Sequence, residues 1–377
     1  MAQLGTHPIS APGWPEKTSE DVALIDCDVH HNVRSPKDLF PFLSRAHQEI
    51  LTDQGLLLPS SGYFNVPWRM NRPDLSEGRD DGIQMRERCD NYAFLRERHL
   101  DVWQVDYALL TGPPPFYSVC VLPDVDYAAA LCRAFNDFTL EQWLPHDERL
   151  LAAIMVSPSD PIQAVQEVKR LADHPQVVGI TIPNGARFPY GNRFYHPLWE
   201  ACEQSNLGVI VHAGAAGAGI APPISAVGMP TYYMEERMAR PAQATAHCAS
   251  MICEGVFEKY PNLKVAFIEV QQYWAIGLMW HMDADWKALR DQTPWLKMLP
   301  SEYFRRNVRV GSQPMHEPET PDQLLGMLDS MHADETLIYC SDFPHYDWDD
   351  PTTNFPPLEP NLHQRIFSKN AAEMFGL

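Results

Sequence analysis

Apolar residues in this chain fall into short runs, separated by longer stretches in which they recur every three or four positions. Short runs read as buried strands and the periodic stretches as amphipathic helices. The strand candidates are Ala23-Leu24-Ile25, Leu109-Leu110, Leu150 to Val156, Val177 to Ile182, Gly208 to Val211, Lys264 to Val270, Asn307 to Gly311 and Thr336 to Ser341. Tyr127 to Trp143 carries Leu131, Phe135 and Phe138 at helical spacing, and Ile162, Val165, Val168 and Leu171 mark one face of another helix. Further helices are expected over Asn91 to Trp103, Pro197 to Gln204, Arg240 to Tyr260, Trp274 to Leu289 and Thr320 to Met331, with one or two closing the chain over 361–377.

This alternation predicts the α/β class, with a single domain, 1–377, folded as a (β/α)8 TIM barrel. An open doubly wound sheet would carry a glycine-rich phosphate turn after an early strand. Here the first strand runs into Asp26-Cys27-Asp28-Val29-His30-His31 instead. Residues 1–20, rich in Pro, Ser and Thr, read as an N-terminal arm over the surface or against a partner chain. Residues 34–90 read as an insertion after strand 1, long enough to serve as a lid.

Three strands far apart in sequence end in groups that bind metals: Asp28 and His30, then His212, then Asp342 in Ser341-Asp342-Phe343-Pro344-His345. Barrel enzymes place their reactive groups at the carboxyl ends of strands. A carboxylate buried there costs several kcal/mol unless a cation or hydrogen bonds hold it. Strand alternation points Asp28 and His30 to one side, with Asp26 further back on that side. Two imidazole nitrogens and two carboxylate oxygens suit Zn, Mn or Fe better than Ca or Mg. Taken singly, each residue has a plainer role: a histidine hydrogen-bonded after a strand, Asp26 or Asp28 capping a turn, Asp342 as a helix N-cap.

Glu269 also ends a strand and reads as a ligand to a second ion, a general base or a buried ion-pair partner. His31 alternates away from His30 unless the chain bends there. His345 is placed for proton transfer or substrate contact. His247 and His281 lie in helical patterns and read as structural. Arg69 and Arg72 in the insertion, and Arg187 after the fourth strand, are candidate grips for a substrate carboxylate.

Composition narrows the partners. The net charge of −20 argues against nucleic acid and anionic membrane surfaces. No apolar stretch reaches the roughly 20 residues of a membrane span, and the start lacks the basic and apolar regions of a secretory signal. The 8 cysteines are scattered and mostly inside apolar runs, which fits free thiols in a reducing, cytoplasmic setting.

Several stretches together resemble the amidohydrolase-related proteins, in the branch that includes aminocarboxymuconate-semialdehyde decarboxylase. They are Ile25 to His30, Gly208 to Gly214, Gly255 to Pro261 with Lys264 to Phe267, Ser341 to His345, and Lys369 to Ala372. The resemblance implies a distorted barrel and a divalent metal held by Asp28, His30, His212 and Asp342. It departs from the common His-x-His form at Asp28, and at Glu269, where relatives commonly carry a histidine as acid or base. It also implies a dimer, and a hetero-oligomer with a paralogue is the assembly expected of an accessory subunit. Three functions follow as expectations. One is a hydrolase or non-oxidative decarboxylase of a small carboxylate-containing molecule, with Glu269 or His345 moving the proton. Another is an O2-dependent monooxygenase with a dinuclear Fe or Mn centre, to which Glu269, His31 or His345 adds ligands. The last is a metal-binding accessory subunit of a paralogous enzyme.

Overall fold

The computed structural model describes residues 23–55, 89–345 and 347–377. Eight parallel strands form one sheet in sequential order. They are β1 (Ile25–Val29), β2 (Tyr107–Leu110), β3 (Leu150–Met155), β4 (Val177–Pro183), β5 (Gly208–His212), β6 (Val265–Ile268), β7 (Val308–Gly311) and β8 (Leu337–Ile338). The segment after β8 closes the ring on β1. Cys27 N donates to Tyr339 O at 3.0 Å, Asp342 N to Asp28 O at 3.0 Å and His30 N to Phe343 O at 2.8 Å. Parallel neighbours need helical crossovers, and helices such as Val125–Gln142, Pro161–Leu171 and Tyr233–Cys253 supply them.

The apolar residues sort into two layers. Ile25, Cys27, Leu109, Leu151, Ile210, Ala266, Ile268, Ile338 and Cys340 pack together inside the barrel, above Met374 and Phe375 of the last helix. A larger layer, including Leu110, Phe135, Ile180, Val209 and Phe267, lies between strands and helices. All eight cysteines are free, and Cys253 is the exposed one.

Several expectations shift. The long helix begins earlier, at Tyr233, and breaks at Gly255, whose φ of 73° leads into the short helix Val256–Lys259. The expected strand from Lys264 to Val270 stops at Ile268, because Glu269 and Gln271 adopt left-handed φ values of 59° and 61°. Within the expected insertion, Pro36–Phe42 is a 3-10 helix and Arg45–Gln54 an α-helix, each capped by a serine, Ser35 and Ser44. The arm, and the part of the insertion with Arg69 and Arg72, lie outside the described residues. Among the described residues, no helix is long and apolar enough to cross a membrane.

Strand β1 corrects the simple alternation. Asp26 pairs with Ala108 and Val29 with Leu110, so three steps on β1 match two on β2. This extra residue is a β-bulge, which re-aims the side chains beyond it. Ile25 and Cys27 face the barrel interior and Asp26 turns outward to His99, and beyond the bulge Asp28 and His30 no longer share the side of Asp26.

Candidate metal centre

The carboxyl ends of β1, β2 and β5 and the turn after β8 converge on one buried point. Asp28 accepts a hydrogen bond from Thr111 Oγ1 at 2.7 Å, and its Oδ2 lies 3.2 Å from Nε2 of His212. Nε2 of His30 is 3.5 Å from Asp28 Oδ1 and 2.9 Å from Asp342 Oδ1. One candidate ligand atom from each of Asp28, His30 and His212 lies within 4.8 Å of the others, and the same holds for His30, Asp342 and His345.

Each imidazole is oriented by its far nitrogen. His30 donates from Nδ1 to the carbonyl of Gly112 at 2.5 Å, and His212 from Nδ1 to that of Ala213 at 2.8 Å. Those bonds turn both Nε2 atoms towards the carboxylates, where each can hold a proton or, with that proton lost, a metal. Gly112 is required where it stands. Its φ is +85°, and a Cβ there would lie 2.7 Å from Sδ of Met155. Tyr117 stacks on His212 with ring centroids 4.5 Å apart and covers its outer face.

Burial disfavours every charge in this pocket, yet the groups hold one another ionised. Burial alone would lower the His30 ring, but Asp28 and then Asp342 raise it to about 10. His212 is likewise raised, Asp28 outweighing burial. Burial would raise Asp28 and Asp342, but the neighbouring imidazoles hold both below the usual carboxylate range. The carboxylates thus call for a positive partner, a shared proton or a cation. Oδ2 of Asp342 is buried without a hydrogen-bond partner. An unsatisfied buried carboxylate oxygen within a set of two nitrogens and two oxygens fits a divalent transition ion.

The other expected site residues are placed as follows. His345 donates from Nδ1 to Asp342 Oδ1 and lies over His30, with ring centroids 4.2 Å apart. Glu269 stands behind His212, its Oε2 3.9 Å from Nδ1, and its other oxygen is paired with Arg240. It belongs to neither group of converging ligand atoms. His31 turns away: Nε2 contacts Thr139 Oγ1 at 2.7 Å and the ring packs between Phe135 and Trp143. Burial, reinforced by His30, lowers it to about 3. Arg187 is exposed and lies over the Phe188 ring. His247 bonds Tyr190 N and Asn184 O, away from the centre, and His281 is exposed.

Sequence reasoning passed over Arg240, Thr111 and Tyr117. Arg240 binds Glu236, Glu269 and the Tyr233 hydroxyl from inside a buried pocket. The Glu236/Arg240 pair, four residues apart in a helix, was the available signal. Thr111 was signalled by its place directly after β2. Nothing in the local pattern marks Tyr117.

A family model described as Amidohydrolase matches residues 25–377. The chain belongs to the amidohydrolase family. Within it, the chain is 26% identical over 179 residues to 2-amino-3-carboxymuconate-6-semialdehyde decarboxylase of Dictyostelium discoideum. That match covers 46% of this chain and 46% of the relative, so it spans about half the relative's length. An amidohydrolase of Mycobacterium avium subsp. paratuberculosis K-10 superposes with a TM-score of 0.70 at 19% identity, over 94% of this chain and 100% of that one. A 5-carboxyvanillate decarboxylase of Novosphingobium aromaticivorans, complexed with manganese and 4-hydroxy-3-methoxy-5-nitrobenzoic acid, superposes with a TM-score of 0.65 at 18% identity, over 94% and 96%. These structural likenesses bear on the family's barrel fold.

Proposed function

We propose that this chain is a metal-dependent amidohydrolase-family enzyme that decarboxylates, without net oxidation, a small carboxylate-containing substrate, or hydrolyses one. The observation that carries the reading is the convergence of Asp28, His30 and His212 beside Asp342, with imidazole Nε2 atoms directed inward. The decarboxylase relative, and the manganese in the structure of another decarboxylase, favour decarboxylation and manganese. Asp28, His30, His212 and Asp342 would hold the ion, which supplies a Lewis acid for a substrate oxygen.

The chain's own residues do the rest. Asp28 and Asp342 stay ionised and fix the imidazoles. Tyr117 and the surrounding apolar core exclude water from one side of His212. His345, bonded to Asp342 and partly open to solvent, is placed to carry the proton. In decarboxylation the bond to the carboxyl group breaks, its electron pair stays on the substrate carbon, and one proton arrives there as CO2 leaves. Glu269 acts on His212 from behind while Arg240 keeps it in position.

A second reading is favoured by one observation. His345 forms, with His30 and Asp342, a second group of ligand atoms, which suits a dinuclear Fe or Mn centre and O2-dependent hydroxylation. The test loads the protein with Mn, Fe or Zn and counts ions per chain. 5-Carboxyvanillate and 2,6-dihydroxybenzoate are then offered under nitrogen and under air. CO2 release under nitrogen with one ion supports the decarboxylase, and oxygen uptake with two ions the hydroxylase. A protein that binds no metal defeats both.

A further inference from the structure

The bulge in β1 is built around Asp26, a residue with no place in the ligand set. Its carboxylate is fully buried and makes three contacts. Oδ1 accepts the backbone N–H of Asp28 at 3.2 Å and that of Ser341 at 2.9 Å. Oδ2 accepts from Nε2 of His99 at 2.7 Å. The two N–H groups belong to the two sides of the seam that closes the barrel. One is the amide of Asp28 itself, and the other immediately precedes Asp342. His99 touches both sides too, because its ring stacks on Phe343, the residue after Asp342, at 4.6 Å and 19° between planes. His99 sits in a π-helical turn, Arg96–Leu100, in the segment that follows the insertion. Such turns, like bulges, re-aim side chains at functional sites.

We propose that Asp26 and His99 form a positioning pair that sets the spacing of the Asp28 and Asp342 carboxylates, and so the affinity and geometry of the metal centre. A bulge leaves one residue out of the strand ladder. Asp26 satisfies the amide freed there and ties it to the opposite side of the seam. The carboxylate has two oxygens and serves three donors, so it fixes the Asp28–Asp342 relation more tightly than either hydrogen bond alone. His99 fixes the carboxylate in turn, as a partner one step behind the ligands.

The inference rests on the metal reading above, and the experiment separates the two. Wild type, His99→Leu, His99→Gln, Asp26→Asn and Thr336→Val are titrated with Mn2+ and with Co2+, whose visible absorption reports coordination geometry. Among the described residues the Thr336 hydroxyl donates to Met331 O and His332 O, away from the centre, so its valine variant serves as a buried-polar control. His99→Leu is expected to lose about 10–100-fold in metal affinity and to change the Co2+ band shape. His99→Gln, whose amide can still donate, should recover part of both. Thr336→Val should lose thermal stability alone. If His99→Leu does not fold, Asp26→Asn, close in shape, must show the altered band. Folded His99 and Asp26 variants with wild-type affinity and spectrum would overturn the pairing and leave the metal reading standing. A wild type that binds neither ion would defeat the metal reading itself.

Discussion

Glu269 is bound to Arg240, and the pair stands on the Nδ1 side of His212, the side turned from the converging carboxylates. Arg240 also holds Glu236, so one buried guanidinium neutralises two carboxylates. Removing one member of a buried pair strands the charge that remains. Arg240→Ala is therefore expected to destabilise the fold by about 3–5 kcal/mol, measured by urea unfolding. Glu269→Gln keeps an acceptor for Arg240 and should cost far less. If the Glu269 charge supports proton transfer through His212, the same variant should lower kcat by about 10²–10⁴-fold with little change in KM. An unchanged kcat would reduce Glu269 to a structural partner.

The ligand set gives the next expectation. Asp342→Asn keeps size but removes the charge that Nε2 of His30 and Nδ1 of His345 both face. His212→Ala removes the nitrogen facing Asp28. Both variants should come through metal-replete purification with far less than one ion per chain, read by elemental analysis. His345→Ala separates the two functional readings. In a mononuclear enzyme it keeps its metal and loses turnover, whereas in a dinuclear one it loses about half of its metal.

The architecture was legible because its signal is redundant. Eight short apolar runs, each followed by a polar break, need a barrel more than any single run does. The ligand candidates were legible for the same reason, since Asp28, His212 and Asp342 each interrupt an apolar segment where no charge should sit unaided. What escaped depended on departures from ideal geometry. The bulge in β1 re-aimed Asp28 away from the side of Asp26, and no residue type announces a bulge. Glu269 was visible, but its orientation was not, because a left-handed residue at the end of β6 breaks the alternation that would have aimed it. His31 kept strict alternation from His30 and so turned into the helix layer. Arg240 was hidden by distance: its partner Glu269 lies 29 positions on.

Metal removal should be felt in stability as well as turnover. In the folded chain Asp28 and Asp342 are both deeply buried, and the imidazoles between them carry raised pKa values. A bound ion would replace the protons on Nε2, so binding releases protons and tightens as pH rises. Chelation at pH 8 should lower Tm, and adding Mn2+ at 100 times its Kd should restore about 2.7 kcal/mol. At pH 5.5 the same addition should restore much less. A Tm indifferent to chelator at both pH values would speak against a resident ion.

The metal-free protein should in turn weaken in acid through two histidines outside the candidate ligand set. Burial, with His30 adding to it, lowers His31 to about 3, and burial lowers His247 to about 4 despite its bond to Asn184 O. Both rings are held neutral in the fold, while in the unfolded chain they take up a proton near pH 6.5. A depressed histidine contributes stability that is present above that value and lost as pH falls towards the folded value. Each ring should cost about 2 kcal/mol between pH 6.5 and 4.5, a range that largely precedes carboxylate protonation. Urea unfolding at pH 6.5, 5.5 and 4.5 measures the slope. His31→Leu removes one titrating ring. It should be less stable at pH 7, through the lost bond to Thr139, yet show a shallower fall with acid. A slope unchanged in that variant would mean that His31 titrates alike in both states, and that its burial among Phe135, Thr139 and Trp143 does not hold the ring neutral.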